Sequence, residues 1–399
     1  MRVSGSSSRP AVSVAIVLLA ACACFKSRAQ TSVTSSLAAG PEGQGAIAVS
    51  LIPSQPFIER VRDQQITNFD LIVKNTGENK YRLVGIKLKV FDRLDKLEVE
   101  RELNENGTPP ALDAIGQRLL PPGGVIDIYQ PFYSFNRAVD LDRMRFELMF
   151  MREGNAAPPV AISADAIATV EAHPRSSSPV SYCLPLHGLV LVHDGHDFNS
   201  HHRRYNLVRR FEADPTTAVS ANLYAYDFVR TNSDGLLYRG DPNQKEAWLT
   251  YGEPIFAPAA GVVVQAVSDI AENTFDIHGE AQIPASAEAM DPLGFGNHVT
   301  LLHSDGRVSW LLHFQPGSVA VKQGDRVKAG QLLGRVGFSG DSLFPHLHYN
   351  VTDGSSYPSQ GVPSYFKNFV WRLGSRSLKI PSGAVDTGDL IESLQLQCR

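Results

Sequence analysis

Across residues 47–172 apolar side chains recur at every second position. Phe69, Leu71 and Val73 form one such run, closed by the turn residues Asn75-Thr76-Gly77. Ile86, Leu88 and Val90 alternate with Lys87 and Lys89, and Met144, Phe146, Leu148 and Phe150 repeat the pattern. A period of two sets alternate side chains on one face of a strand, so each run predicts a strand with an apolar and a solvated face. Short strands broken by turn residues, with a further break at Pro121-Pro122-Gly123-Gly124, predict an antiparallel β-sandwich. This region carries no cluster of histidines, cysteines or paired acids. Its expected role is structural or in interaction.

Glu171 to Pro179 reads as a boundary, and residues 180–399 read as a second, strand-rich domain. Pro254 to Val267 predicts a bend and then a buried strand. Val299 to Phe314 predicts a hairpin that turns at Asp305-Gly306. Val321 to Val336, with Gly324, Gly330 and Gly334, predicts short strands folding back on themselves. Asp269 to Pro292 is polar and alanine-rich and reads as an irregular surface insertion. The fold class expected for the whole chain is all-β.

The N-terminus reads as a targeting segment outside the fold. Arg2 and Arg9 precede an apolar run from Ala11 to Ala23, the length of a signal-peptide core and too short to span a membrane. Residues 1–29 are therefore expected to be a leader and residues 30–46, rich in Ser, Ala and Gly, a linker. Leu19-Ala20-Ala21-Cys22 is similar to a bacterial lipoprotein processing box, which would place a lipid anchor on Cys22. Cleavage after Ala29 is the alternative, and both imply export to the periplasm or cell envelope. In an oxidising compartment Cys183 and Cys398 could pair. With a net charge of -4 no basic excess points to nucleic acid, and no transmembrane segment is expected in the mature chain.

Candidate chemistry is concentrated in the second half. Eleven of the twelve histidines lie between His187 and His348, leaving only His173 outside. His346 and His348, two apart behind the turn Gly337-Phe338-Ser339-Gly340, share one strand face, while Leu347 and Tyr349 face a core. Imidazole is both a zinc ligand and a proton shuttle near neutral pH, so one strand could supply a ligand and a base. There is no His-Glu-x-x-His, no Gly-x-Ser-x-Gly, no phosphate-binding loop and no Cys-x-x-Cys.

Residues 184–369 resemble the lysostaphin-like (LytM-type) zinc endopeptidases, which cut cell-wall peptides. The resemblance rests on Ala257 to Gly261, Gly296-Asn297-His298-Val299, Leu311-Leu312-His313, the Val321 to Gly337 hairpins and Ser339-Gly340 through Pro345-His346-Leu347-His348-Tyr349. It implies one zinc ion held by His201, Asp227 and His348, with His202 as the alternative first ligand. His346 would be the general base, and His313 would donate a hydrogen bond to the oxyanion or assist proton transfer. The implied substrate is peptidoglycan peptide. His201 is preferred over His202 because adjacent strand residues face opposite ways and because the Asn-x-His pattern of related sequences ends at His201, in Asn199-Ser200-His201. The sequence departs from the family pattern in the 26-residue separation of His201 from Asp227, where four is usual.

His193 and His196 read as a solvated loop rim, and His298 and His303 as packing or surface residues. Two other functions compete. The same fold could serve as a catalytically inactive module that binds the envelope or activates other wall hydrolases, but such relatives lose ligands, and all five positions here hold competent residues. The Val321 to Gly337 hairpins also resemble biotin or lipoate carriers, yet neither Lys322 nor Lys328 has a methionine neighbour.

Overall fold

A computed structural model describes residues 45–105, 112–154, 164–176, 180–204 and 219–393. The expected leader, Cys22, nearly all of the linker and Cys398 lie outside the described residues, and the Cys183–Cys398 pairing falls outside with them. Among the described residues no helix is long and apolar enough to cross a membrane.

In the N-terminal half two antiparallel sheets face each other. One is ordered Ile47–Ile52, Asp70–Asn75, Val125–Tyr129; the other runs Ala166–Ala172, Arg143–Arg152, Tyr81–Phe91, Leu97–Asn104. The alternating runs account for this arrangement. Phe69, Leu71 and Val73 meet Ile86, Leu88, Val90, Met144, Phe146, Leu148 and Phe150 in one fully buried layer. The rings of Phe69 and Phe146 cross it edge-on at 5.7 Å. Each such side chain stabilises the fold by about 1.5–3 kcal/mol through lost water contact. Lys87 and Lys89, on the opposite face, pair across strands with Glu102 and Glu147.

A smaller sheet of Phe57–Val61, Gln64–Thr67 and Ser134–Asn136, with Arg175–Ser176 alongside, joins this half to the next. Phe57 already packs in the C-terminal core, against Tyr224 at 6.2 Å. Tyr365 donates to the Arg60 carbonyl and accepts from its amide, at 3.1 and 2.9 Å.

The C-terminal half is built on an 11-stranded sheet. Its centre runs Gly188–Asp194, Tyr226–Arg230, Leu347–Thr352, Val308–Phe314, Asn297–Leu302, Gly261–Val267. The hairpin expected at Asp305-Gly306 is present. Leu347, Tyr349 and Val351 enter the core, as the alternation predicts, and leave His348 on the opposite face. The Val321 to Val336 stretch supplies Arg326–Val327 to this sheet and Leu332–Arg335 to a two-stranded ribbon.

Two expectations need correction. Residues 269–292 are not irregular: they hold a hairpin of Thr274–Phe275 with Ala281–Gln282 and a short helix, Ala285–Met290. At the base of this region Asn273 donates to the carbonyls of Gly340 and Ser342 at 2.8 and 3.0 Å, tying it to the turn before His346. His201 and His202 open a helical turn, His201–Arg204, so the strand-based reason for preferring His201 does not apply.

Candidate metal centre

Strand register creates the site. Tyr226–Arg230 and Leu347–Thr352 pair antiparallel with Asp227 opposite His348. On the other side, Val308–Phe314 sets Leu312 opposite His348, and His313 follows it. Tyr226 and Phe228 enter the core, so Asp227 emerges on the other face among the histidines. Three ring nitrogens surround its Oδ1 atom: His346 Nε2 and His348 Nδ1 at 3.2 Å, and His202 Nε2 at 3.3 Å.

The two candidate first ligands differ sharply. His202 is buried, and its Nδ1 lies 3.0 Å from the Gly195 carbonyl, which directs Nε2 at Asp227. His201 has 63% of its side chain exposed; its Nδ1 contacts Asp194 at 2.8 Å and its Nε2 reaches Asp227 Oδ2 only at 3.8 Å. Asp194 was not singled out from the sequence. It sits 3.0 Å from His202 Nδ1 and 2.8 Å from Ser200 Oγ. The one available signal was its place at the end of an apolar strand, directly before Gly195.

His313 and His346 complete the constellation with rings 4.8 Å apart. Each has Nδ1 on a backbone carbonyl at 2.8 Å, Ser339 for His313 and Phe344 for His346, and so presents Nε2 to the cleft. His313 adopts φ +68°, a left-handed conformation uncommon for a residue with a side chain and costing of order 1–3 kcal/mol. The cleft has a volume of about 410 Å³. Polar groups including Asn222 and Asp341 line it beside an apolar flank of Leu293, Phe295, Leu312 and Tyr357.

His193 also lines this cleft, with its ring against Phe344 at 4.7 Å, whereas His196 contradicts its expected place on a solvated rim. It is buried, and its Nε2 donates to Glu59 of the N-terminal half at 2.8 Å. His298 and His303 are buried packing residues.

The electrostatics favour a cation at Asp227. Burial alone would raise the pKa of this carboxyl, but His346 and His202 outweigh it and hold the pKa well below the usual range. Burial pulls His202 down, yet the charges of Asp227 and Asp194 push it up to about 10. Desolvation takes His348 down to about 4 and, with His346, keeps His313 neutral. A metal-free site therefore recruits a proton beside Asp227, where a divalent cation could replace it. The donor set also fits zinc: bonds of about 2.0–2.1 Å in a tetrahedron set ligand atoms about 3.3 Å apart, and His202 Nε2 and His348 Nδ1 lie at 3.3 and 3.2 Å from Asp227 Oδ1.

The pattern of Peptidase family M23 matches residues 248–359, which include His313, His346 and His348. The chain carries a Peptidase family M23 domain. His202 and Asp227 precede the matched stretch. The M23 domain is similar over 57 residues, 14% of this chain, to the glycyl-glycine endopeptidase ALE-1 of Staphylococcus capitis at 46% identity and to lysostaphin of Staphylococcus simulans at 44%. It is 44% identical over 54 residues to the peptidoglycan DD-endopeptidase ShyC of Vibrio cholerae. These matches span 15%, 11% and 12% of the relatives' own lengths. The crystallised catalytic domain of lysostaphin overlays 35% of this chain and 74% of its own at 26% identity, with a TM-score of 0.23.

Proposed function

We propose that the chain is an exported zinc endopeptidase that hydrolyses peptide bonds of bacterial peptidoglycan. The observation that carries this reading is the convergence of His202 Nε2 and His348 Nδ1 on Asp227 Oδ1 at 3.3 and 3.2 Å. His202, Asp227 and His348 would hold the metal, with His202 preferred to His201 for its burial and its pinned Nδ1. When bound, zinc would lower the pKa of a coordinated water toward ~7 and polarise a carbonyl. The peptidoglycan assignment is supported by the relatives' names, and export by the apolar leader.

His346 and His313 are assigned to proton handling. Each uses Nδ1–H on a carbonyl, so a neutral ring offers a lone pair at Nε2. His346 is the proposed base because its Nε2 already faces Asp227. A neutral His313 cannot donate from Nε2; it could donate to an oxyanion only after accepting a proton there. Retention of competent residues at all five positions favours an enzyme over an inactive binding module.

If His346 were a fourth ligand, the tetrahedron would be closed and no position would remain for water. His346→Ala separates these roles. Purified peptidoglycan incubated with the zinc-loaded chain should release new peptide-cleaved fragments, whereas His346→Ala should release none while keeping its zinc. Loss of metal from that variant would make His346 a ligand.

A further inference from the structure

The segment carrying His202 is held from two sides. Within the C-terminal half, Ser200 Oγ donates to the Gly195 carbonyl at 2.6 Å and accepts from the His202 amide at 3.1 Å. A helical turn of four residues cannot hold itself, because nucleation fixes several residues for a single hydrogen bond. Its direction must come from tertiary contacts, and many of those belong to the N-terminal sandwich.

Glu59 and His196 form a buried pair at 2.8 Å, and Asn68 Nδ2 donates to the His196 carbonyl at 3.2 Å. Tyr133 stacks on Phe198 at 4.8 Å between centroids. Arg203, directly after His202, is 1% exposed. Its guanidinium lies 4.9 Å over the Phe198 ring and donates to the Gln130 carbonyl at 3.2 Å. Gln130 is fixed in turn by donating to Thr67 Oγ1 at 3.0 Å.

We propose that the N-terminal sandwich, together with the small sheet that joins it to the C-terminal half, is a positioning element of the metal centre: Glu59, Asn68, Gln130 and Tyr133 grip residues 196–203 and aim His202 Nε2 at Asp227. The inference rests on His202 being a ligand. Adjacent residues of a helical turn project about 100° apart, so anchoring Arg203 on the sandwich fixes the rotation of His202 about the turn. Arg203 acts through its neighbour and is a positioning residue. The sandwich is then part of the enzyme's working unit and more than a tether for it.

The test is a calorimetric zinc titration of the metal-free full chain, run beside thermal melts without metal. Arg203→Ala should weaken zinc binding about 10–100-fold, as loss of an outer-shell partner does. Arg203→Lys, which keeps the charge, should recover part of that loss. Glu59→Gln, altered only on the sandwich side, should weaken binding in the same direction by less, and it decides the matter if Arg203→Ala does not fold. A purely structural role would lower the metal-free melting temperature and leave zinc affinity unchanged, which overturns the proposal. His202→Ala separates the two claims: if it loses zinc while the folded Arg203 and Glu59 variants do not, only the positioning role fails. If His202→Ala binds zinc as wild type does, the ligand assignment fails.

Discussion

Asp227 is the residue on which the site turns. It is a buried carboxylate kept ionised by imidazoles, and its Oδ1 meets three ring nitrogens within 3.3 Å. Asparagine has nearly the same shape but no charge, so Asp227→Asn removes the electrostatic reason for a cation to enter. Zinc affinity should fall by more than the about 10–100-fold expected for loss of an outer partner, measured by titration with a competing chelator. Wild-type affinity in that variant would move the metal to another donor set. His346 and His348 were legible because a two-residue spacing fixes a shared face. The choice between His201 and His202 was not, because it depends on a helical turn that the sequence pattern does not announce.

Between elements, the cleft wall depends on backbone approaching backbone. Gly296 and Gly340 both have positive φ, +64° and +75°. A Cβ on Gly340 would lie 2.4 Å from the Gly296 nitrogen, and one on Gly296 would lie 2.5 Å from the Ser339 oxygen. The turn before His346 can lie against the segment leading into Asn297–Leu302 only because both positions lack side chains. Gly340→Ala combines backbone strain of order 1–3 kcal/mol with a steric clash. It should lower the melting temperature and reduce peptidoglycan cleavage together. A variant that melts as wild type would show that the two segments separate at little cost. The glycines were visible in the sequence, but their mutual approach was not.

For the whole molecule, the Glu59–His196 pair couples folding to pH. Burial pulls the His196 pKa down, but the charge and hydrogen bonds of Glu59 outweigh this and raise it above 6.5. A raised histidine pKa contributes stability that is full below the unfolded-state value and is lost as pH rises through the folded-state value. Wild type should therefore exceed Glu59→Gln in urea-unfolding stability most near about pH 6, and the gap should narrow toward about pH 9. A gap independent of pH would mean that the pair does not titrate in this range. The same contact explains why a histidine expected on a solvated rim is buried: its partner lies 137 residues away, beyond any local pattern.

The sequence by itself determined the all-β class, because period-two alternation has one physical solution, a strand with one face buried. It also put forward His346 and His348 by their two-residue spacing, and the resemblance to LytM-type endopeptidases added His313 and Asp227 as candidates for the chemistry. Only the tertiary structure decided how they meet. The register of Tyr226–Arg230 against Leu347–Thr352 puts Asp227 beside His348. The helical turn presents His202 rather than His201, and the sandwich meets the segment that carries it. These are contacts between residues tens to hundreds of positions apart, set by packing and charge compensation that no short window of sequence contains.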